Sequence, residues 1–418
     1  VDGKPGPAYD SISQDSPVFA PKTNVIVYKA KKGKKWHMVV GTKQQRGYEK
    51  IGLFATSPDG NRVAYIAEEM GKQFVVENGE KGPTYDGLVQ KGNMIFSKDS
   101  RHFAYVGIRG KSMHVVVDGK ESKAYEQVSL PIFSPDSSQC AYPAQLNNKW
   151  FMVVNGVEGP RYERTGEYVF SPDSKNFAYT VKKGSKYLVV LNGKEGQAFD
   201  AVAAPNFSFD SKRFAHLAVE DKRWFMMIDG KKEPSFDEIA FFDFSPDALR
   251  TSYTVRKGDK WAVVVDGKPG PFLDSVFIPI WSPNSRDILY TTGEKKSKKW
   301  SVVHNGKVGP KYDETSLPFF SPDGSHWCYM ARQGNQWRVV LDGKEGKWFD
   351  GVSLPTFSPG SKHFVYLAMM GNDWFAVVDD EPQLRRFAGF LAGSAPKFTS
   401  PTHFYILVVQ SSDFSIAR

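Results

Sequence analysis

The segment Phe170-Ser-Pro-Asp-Ser-Lys-Asn-Phe-Ala-Tyr179 shows how the whole chain is organised. Ser-Pro-Asp-Ser favours a type I turn, because proline presets φ and the aspartate can hydrogen-bond its own backbone two residues on. This tetrapeptide and its variants recur mostly at intervals of 37 residues. They begin at Ser57, Ser97, Ser134, Ser171, Ser208, Ser245, Ser282, Ser321 and Ser358. A fixed period of this size is typical of a repeat protein.

Two further markers keep the same period, namely Asn-Gly or Asp-Gly, as at Asn155-Gly156, and an aromatic residue followed by an acid, as at Tyr162-Glu163. Asn-Gly between apolar segments indicates a type I′ hairpin, in which both central residues need positive φ. The segments between turns are short and rich in Val, Phe, Tyr and Trp, which favours strands. Each unit is therefore predicted to contain four antiparallel strands, named A to D in chain order. For the recurring acids we expect turn and strand-end hydrogen bonding.

Four-stranded units of about 40 residues are typical of β-propeller blades. The sequence predicts an all-β chain, residues 1–418 forming one closed β-propeller of eleven four-stranded blades of about 37 residues. Residues 1–10 would supply the outer strand of the last blade, and residues 394–418 its other three strands. This pairing would close the ring and leave no exposed blade edge. An open solenoid is the alternative, and it would normally require polar capping units.

The segments Phe170–Tyr179 and, approximately, Phe207–His216 resemble the repeat of TolB-type propellers, a WD-like and mainly bacterial family. The resemblance extends over all eleven units. It implies a propeller fold and the roles that such propellers serve, as periplasmic interaction modules, sensor domains or gating domains of peptidases. The chain departs from the family pattern where Tyr-Asp replaces the Leu-Thr that closes the outer strand. A periplasmic or extracellular location is the expectation, with a cytoplasmic one left open.

Composition and motifs narrow the functions to be considered. The net charge of +9 is modest for this length and no nucleic-acid-reading motif is present, so nucleic acid is not expected as a partner. The longest apolar runs are too short for a membrane span. Nucleophile-elbow, zinc-protease, phosphate-loop and dinucleotide motifs are missing, and the histidines are scattered. We therefore expect neither an enzyme nor a bound metal or cofactor. Cys140 and Cys328 are predicted to be small buried residues without a disulfide.

Basic hairpins between strands B and C are the first candidate binding feature. Their residues are Lys31, Lys32, Lys182, Lys183, Arg256, Lys257, Lys295 and Lys296. Such hairpins would project from one face of a propeller and could steer an acidic partner. The alternative is that these cations only keep the hairpin tips solvated.

Tryptophans at the start of strand C are the second candidate. They include Trp224, Trp261, Trp300 and Trp337. Packing between neighbouring blades is one interpretation, and a row of stacking platforms for a ligand is the other.

These features predict a monomeric, non-catalytic scaffold that binds another protein through one face and the channel mouth. The expected partner is a protein with an acidic surface. Binding of a polysaccharide or cell-envelope polymer through the tryptophan-bearing face is the second hypothesis. A hydrolase or lyase with its site in the channel is the third and least favoured.

Overall fold

The computed structural model describes residues 6–89, 94–390, 396–410 and 413–417. Every regular element in these ranges is a β-strand, and they contain no helix. The predicted all-β class is therefore confirmed. The chain divides into two compact units, the first comprising residues 1–207 and 214–216 and the second residues 208–213 and 217–418.

The first unit contains five antiparallel sheets, numbered 1 to 5 in chain order. Sheet 1 contains β1 (Ser11–Ile12), β2 (Val18–Phe19), β3 (Ile26–Lys32), β4 (Lys35–Val40) and β5 (Lys43–Tyr48); sheet 2 contains β6 (Lys50–Thr56), β7 (Val63–Glu69), β8 (Lys72–Glu77) and β9 (Glu80–Lys81). Sheet 3 contains β10 (Gly87–Leu88), β11 (Ile95–Phe96), β12 (Phe103–Arg109), β13 (Ser112–Val117) and β14 (Lys120–Glu121). Sheet 4 contains β15 (Gln127–Val128), β16 (Ile132–Phe133), β17 (Cys140–Leu146), β18 (Lys149–Val154) and β19 (Val157–Glu158); sheet 5 contains β20 (Arg164–Phe170), β21 (Phe177–Lys183), β22 (Lys186–Leu191) and β23 (Lys194–Glu195).

The strands of sheet 6 lie at the division: β24 (Ala201–Phe207) belongs to the first unit, β25 (Phe214–Glu220) is divided, and β26 (Arg223–Ile228) and β27 (Lys231–Lys232) belong to the second. The second unit continues with sheets 7 to 11. Sheet 7 contains β28 (Glu238–Phe244), β29 (Thr251–Lys257), β30 (Lys260–Val265) and β31 (Lys268–Pro269); sheet 8 contains β32 (Ile280–Trp281), β33 (Ile288–Glu294), β34 (Lys299–His304) and β35 (Lys307–Val308). Sheet 9 contains β36 (Glu314–Thr315), β37 (Phe319–Phe320), β38 (Trp327–Gln333), β39 (Gln336–Leu341) and β40 (Lys344–Glu345). Sheet 10 contains β41 (Gly351–Val352), β42 (Thr356–Phe357), β43 (Phe364–Met370), β44 (Asp373–Val378) and β45 (Glu381–Phe387); sheet 11 contains β46 (Gly389–Phe390), β47 (Lys397–Phe398), β48 (Phe404–Gln410) and β49 (Asp413–Ala417).

The turns between strands follow the predicted chemistry. In sheet 5, Ser171 Oγ donates to Asp173 Oδ1 (2.6 Å), which also accepts from the Lys175 N–H two residues on (3.1 Å). The Asn192-Gly193 hairpin between strands C and D has φ of 50° and 78°. Positive φ at both central residues is what a type I′ turn requires. In sheets 1, 3, 4, 9 and 10 the first of the four predicted strands is divided into two short strands, which both pair with strand B. With this difference, the four-stranded unit with these turns is confirmed.

The core lies between neighbouring sheets within each unit. In the first unit, Met152 of sheet 4 packs with Tyr179 and Leu188 of sheet 5. In the second, Val302 of sheet 8 packs with Tyr329 of sheet 9. The central residues of strands B and C are buried, which explains the short continuous apolar segments there, such as Phe151–Val153 and Leu188–Val190.

The predicted closing contact involves residues 1–5, which lie outside the described residues, as do residues 394 and 395. The described part of the last blade contains its A, B and C strands, β47, β48 and β49, with β48 pairing to both others. Closure into an eleven-bladed ring, and the treatment of residues 1–418 as one domain, stay predictions.

Candidate functional site

The predicted basic residues lie on or beside the B–C hairpins. In the first unit, Lys31 and Lys32 end β3, and Lys182 and Lys183 end β21. In the second, Arg256 and Lys257 end β29, whereas Lys295 and Lys296 lie in the turn after β33. Lys32, Lys183, Lys257, Lys295 and Lys296 are exposed.

A carboxylate that follows strand D contacts two of these hairpins at once. Asp313 accepts from Lys299 Nζ (2.6 Å) in sheet 8 and from the Gly334 N–H (2.7 Å) in the B–C turn of sheet 9. The Lys299 ammonium is the main cause that lowers the pKa of Asp313. The same two-sided contact recurs at Asp86, Glu163, Asp237 and Asp274. The predicted turn and strand-end role of these acids is confirmed.

Some of the candidate cations are engaged within their own sheet. Lys183 pairs with Glu195 (2.6 Å), and Lys182 Nζ lies 5.6 Å from the centre of the Tyr187 ring. Arg256 pairs with Glu238 (2.9 Å). The remaining candidates, Lys31, Lys32, Lys257, Lys295 and Lys296, have no ion pair with any residue in the described ranges. The charge available to a partner is therefore smaller than the sequence suggests.

The four candidate tryptophans occupy one repeat position and are half-buried. Each forms an antiparallel bridge with a residue that lies a few positions after strand D, as Trp261 does with Leu273. Trp261 and Trp337 are approached by Arg256 (6.0 Å) and Arg332 (5.7 Å). These guanidinium groups are held by Glu238 and Glu314. In these two sheets a cation of the protein itself already lies near the indole ring.

Buried hydroxyl groups connect neighbouring sheets. The tyrosine that follows strand D of one sheet approaches the strand B tyrosine of the next, as Tyr312 does with Tyr329 at 6.3 Å between ring centres. Tyr312 also donates to Glu345 on strand D of sheet 9. The equivalent donors Tyr85 and Tyr162 bind Glu121 and Glu195.

The structure also contains a set of solvent-exposed apolar residues that the sequence interpretation missed. Strand A is interrupted by a bulge or a gap at its centre, and an exposed apolar side chain lies there in four successive sheets of the second unit. This apolar bulge row consists of Phe241 (53% exposed), Ile278 (57%), Leu317 (69%) and Leu354 (51%). Proline follows the last three, and because it has no N–H it breaks the strand ladder. The recurring Leu-Pro or Ile-Pro pair is visible in the sequence and could have identified the row.

Metal binding and thiol chemistry are the next features of the described residues to consider. Over the described ranges, no cluster of three or more His, Cys, Asp or Glu side chains could hold a metal ion. Cys140 and Cys328 are free and buried, and burial raises the pKa of the Cys140 thiol to about 12. None of the described residues forms a helix with the length and hydropathy needed to cross a membrane.

Comparisons with known proteins identify similar folds. No protein-family model matches the chain, and no curated protein matches it either. Among solved structures the chain is similar to TolB from Acinetobacter baumannii, with 16% identity and a TM-score of 0.27 over 47% of this chain and 58% of that one. It is also similar to the β-propeller domain of the Trilobed protease from Pyrococcus furiosus (14%, 0.31, 61% and 94%) and to the Dos1 propeller (11%, 0.33, 69% and 92%). The neighbours are β-propellers, and at these values the likeness carries no conclusion about function.

Proposed function

We propose that this protein is a non-catalytic scaffold that binds another protein through the apolar bulge row and the neighbouring basic hairpins. The observation that carries the proposal is the row itself. Large apolar side chains are exposed at one repeat position in four successive sheets, and groups of exposed apolar side chains commonly mark an interaction site.

Two A strands that carry members of the row pack against each other. Phe319 of β37 and Phe357 of β42 have ring centres 6.0 Å apart, so the A strands of sheets 9 and 10 lie side by side. Leu317 and Leu354 precede these rings by two and three residues. In the propeller predicted from the sequence, this row would face the channel.

The hairpin cations are within reach of a partner bound to the row. Phe241 lies at the level of Tyr253 in sheet 7, since Ala240 pairs with Thr254 and Asp243 with Ser252. Lys257 is four residues further along the same strand, about 13 Å at the usual rise per residue. A partner segment with apolar side chains and a carboxylate a few residues away would contact both features.

Affinity capture from an extract of the source organism, at low and then high salt, would identify the partner. The dissociation constant of the complex with this partner should rise at least about tenfold for the Leu317→Ser/Leu354→Ser variant, because two apolar contacts are lost. The Leu249→Ser/Leu384→Ser variant is the matched control, since these leucines are 75% and 95% exposed outside the row. Equal binding by the two variants would contradict the proposed site.

Charge reversal tests the contribution of the basic hairpins to partner binding. The Lys257→Glu/Lys295→Glu/Lys296→Glu variant should bind the same partner more weakly and with a smaller salt dependence, because exposed charges act mainly on steering and are screened. This proposal includes five further predictions: a closed ring of eleven blades, a TolB-type affiliation, a monomeric state, the absence of catalysis, and a periplasmic or extracellular location.

A further inference from the structure

The interface between sheets 7 and 8 lacks the hydroxyl network found at several other sheet interfaces. Where Tyr312, Tyr329 and Glu345 meet at sheets 8 and 9, the corresponding residues at sheets 7 and 8 are Leu273, Tyr290 and Val308. Leucine and valine offer no hydrogen-bonding atom. Tyr290 is 2% exposed, and its hydroxyl has no hydrogen-bond partner within the described part of the chain.

The unpartnered hydroxyl adjoins a cavity. A pocket of about 610 Å³ lies between sheets 7 and 8, and Tyr290 and Gly270 both line it. A Cβ atom placed on Gly270 would be 3.7 Å from the Tyr290 hydroxyl, so the hydroxyl lies beside this wall of the pocket. A buried polar group without a partner is destabilising, and a ligand oxygen that accepted its hydrogen bond would remove this cost.

The pocket combines an apolar wall with excess positive charge. Val263 and Ile288 contribute apolar surface. Arg250 is neutralised by Asp266 (2.9 Å), whereas Arg286 and Lys268 form no ion pair with any residue in the ranges that the structure describes. Burial raises the pKa of Tyr290 to about 12, so its hydroxyl is protonated and able to donate at neutral pH.

We propose that the pocket between sheets 7 and 8 binds a small organic anion with an apolar ring system. The anionic group accepts hydrogen bonds from the Tyr290 hydroxyl and the Arg286 guanidinium, and the ring packs against Val263 and Ile288. This site is independent of the protein-binding proposal, because it shares no residue with the apolar bulge row.

Two further pockets at the same repeat position lie beside interfaces that keep the hydroxyl network. The pocket between sheets 2 and 3, of about 760 Å³, is lined by Tyr105, and there Tyr85 donates to Glu121. The pocket between sheets 4 and 5, of about 330 Å³, is lined by Tyr179. There the network is present, since Tyr162 donates to Glu195 (3.1 Å). Among the tyrosines of these three pockets, only Tyr290 has a buried hydroxyl without a hydrogen-bond partner in the described part of the chain.

The probe for this site is the fluorescent anion 8-anilinonaphthalene-1-sulfonate, with the neutral N-phenyl-1-naphthylamine as its uncharged counterpart. The wild-type protein should bind one sulfonate per chain saturably. Arg286→Gln and Tyr290→Phe should each lower the affinity for the sulfonate about fivefold to tenfold, because each removes a hydrogen bond to a charged group. Affinity for the neutral amine should stay within twofold of wild type in Arg286→Gln.

Two further variants complete the test. Arg101→Gln removes an exposed arginine at the same repeat position in sheet 3 and should leave sulfonate binding unchanged. Leu273→Tyr/Val308→Glu rebuilds the network around Tyr290 and should lower the affinity for the sulfonate. The proposal is overturned if the wild type shows no saturable site, or if either Arg286→Gln or Tyr290→Phe binds the sulfonate within twofold of wild type.

Discussion

Lowering the pH from 7 to 5 should destabilise the protein through His216. This residue occupies the strand B position that holds tyrosine in most other sheets. It packs against the rings of Phe199 (6.4 Å) and Phe214 (5.8 Å), and its Nδ1 is buried without a hydrogen-bond partner among the described residues. Burial lowers the pKa of His216 from 6.5 to about 4, because the charged imidazolium is poorly solvated there.

The sign and size of the effect follow from this shift. Between pH 6.5 and 4 the unfolded chain binds a proton that the folded chain does not, so stability is present above pH 6.5 and falls as the pH falls toward 4. The full difference corresponds to about 3 kcal/mol, and the loss at pH 5 to about 2 kcal/mol. These are upper values, since part of the His216 side chain remains in contact with solvent.

The His216→Tyr variant isolates this contribution, because tyrosine does not titrate in the range. Urea unfolding of the wild type and the variant at pH 7 and pH 5 should show a difference between them that changes by up to about 2 kcal/mol with pH. An NMR titration of the His216 ring should give a pKa near 4. A ring pKa of 6 to 7, or a difference in stability that is the same at both pH values, would refute the reasoning.

Two other predictions concern the core. A Cβ atom on Gly107 would lie 2.3 to 2.5 Å from the Tyr85 ring, so Gly107→Ala should lower the free energy of unfolding by about 1–3 kcal/mol. Gly87→Ala, which meets nothing within 4 Å, is the control in the same sheet, and equal stability of the two variants in urea would contradict this packing. The thiols of Cys140 and Cys328 should not react with a disulfide reagent in the native protein and should both react after denaturation, since burial raises the pKa of each. Rapid labelling of either thiol in the native state would show that its strand opens.

The strands and turns could be predicted from the sequence because their chemistry is local. The Ser171–Asp173 turn uses contacts within five residues, and the Asn192-Gly193 hairpin needs positive φ at two adjacent positions. The repeat then places the same turns in every sheet, so one correct interpretation applies along the chain.

The candidate site was less predictable because its contacts join different sheets. Lys299 pairs with an acid 14 residues away, and that acid also holds the next hairpin at Gly334. Treating each hairpin separately therefore overestimates its free charge. The exposure of Leu317 was missed because strict alternation along a strand takes no account of the interruption before Pro318.

The interface between sheets 6 and 7 and that between sheets 7 and 8 have both lost the tyrosine–glutamate hydrogen bond of the repeat, and the residues around them differ. Tyr253 of sheet 7, like Tyr290, has a buried hydroxyl without a hydrogen-bond partner in the described residues. The residue of sheet 6 at the position of Tyr312 is Phe236, which has no hydroxyl. Beside Tyr253, however, Glu233 replaces the usual glycine, and its carboxylate reaches the position of Gly267. Burial is the main cause that raises the pKa of Tyr253, and the negative charge of the Glu233 carboxylate raises it further. At sheets 7 and 8 the equivalent position is Gly270, which carries no charge and leaves the cavity open. The loss of the same network therefore gives two different outcomes, and the cationic pocket at Tyr290 is the one suited to an anion.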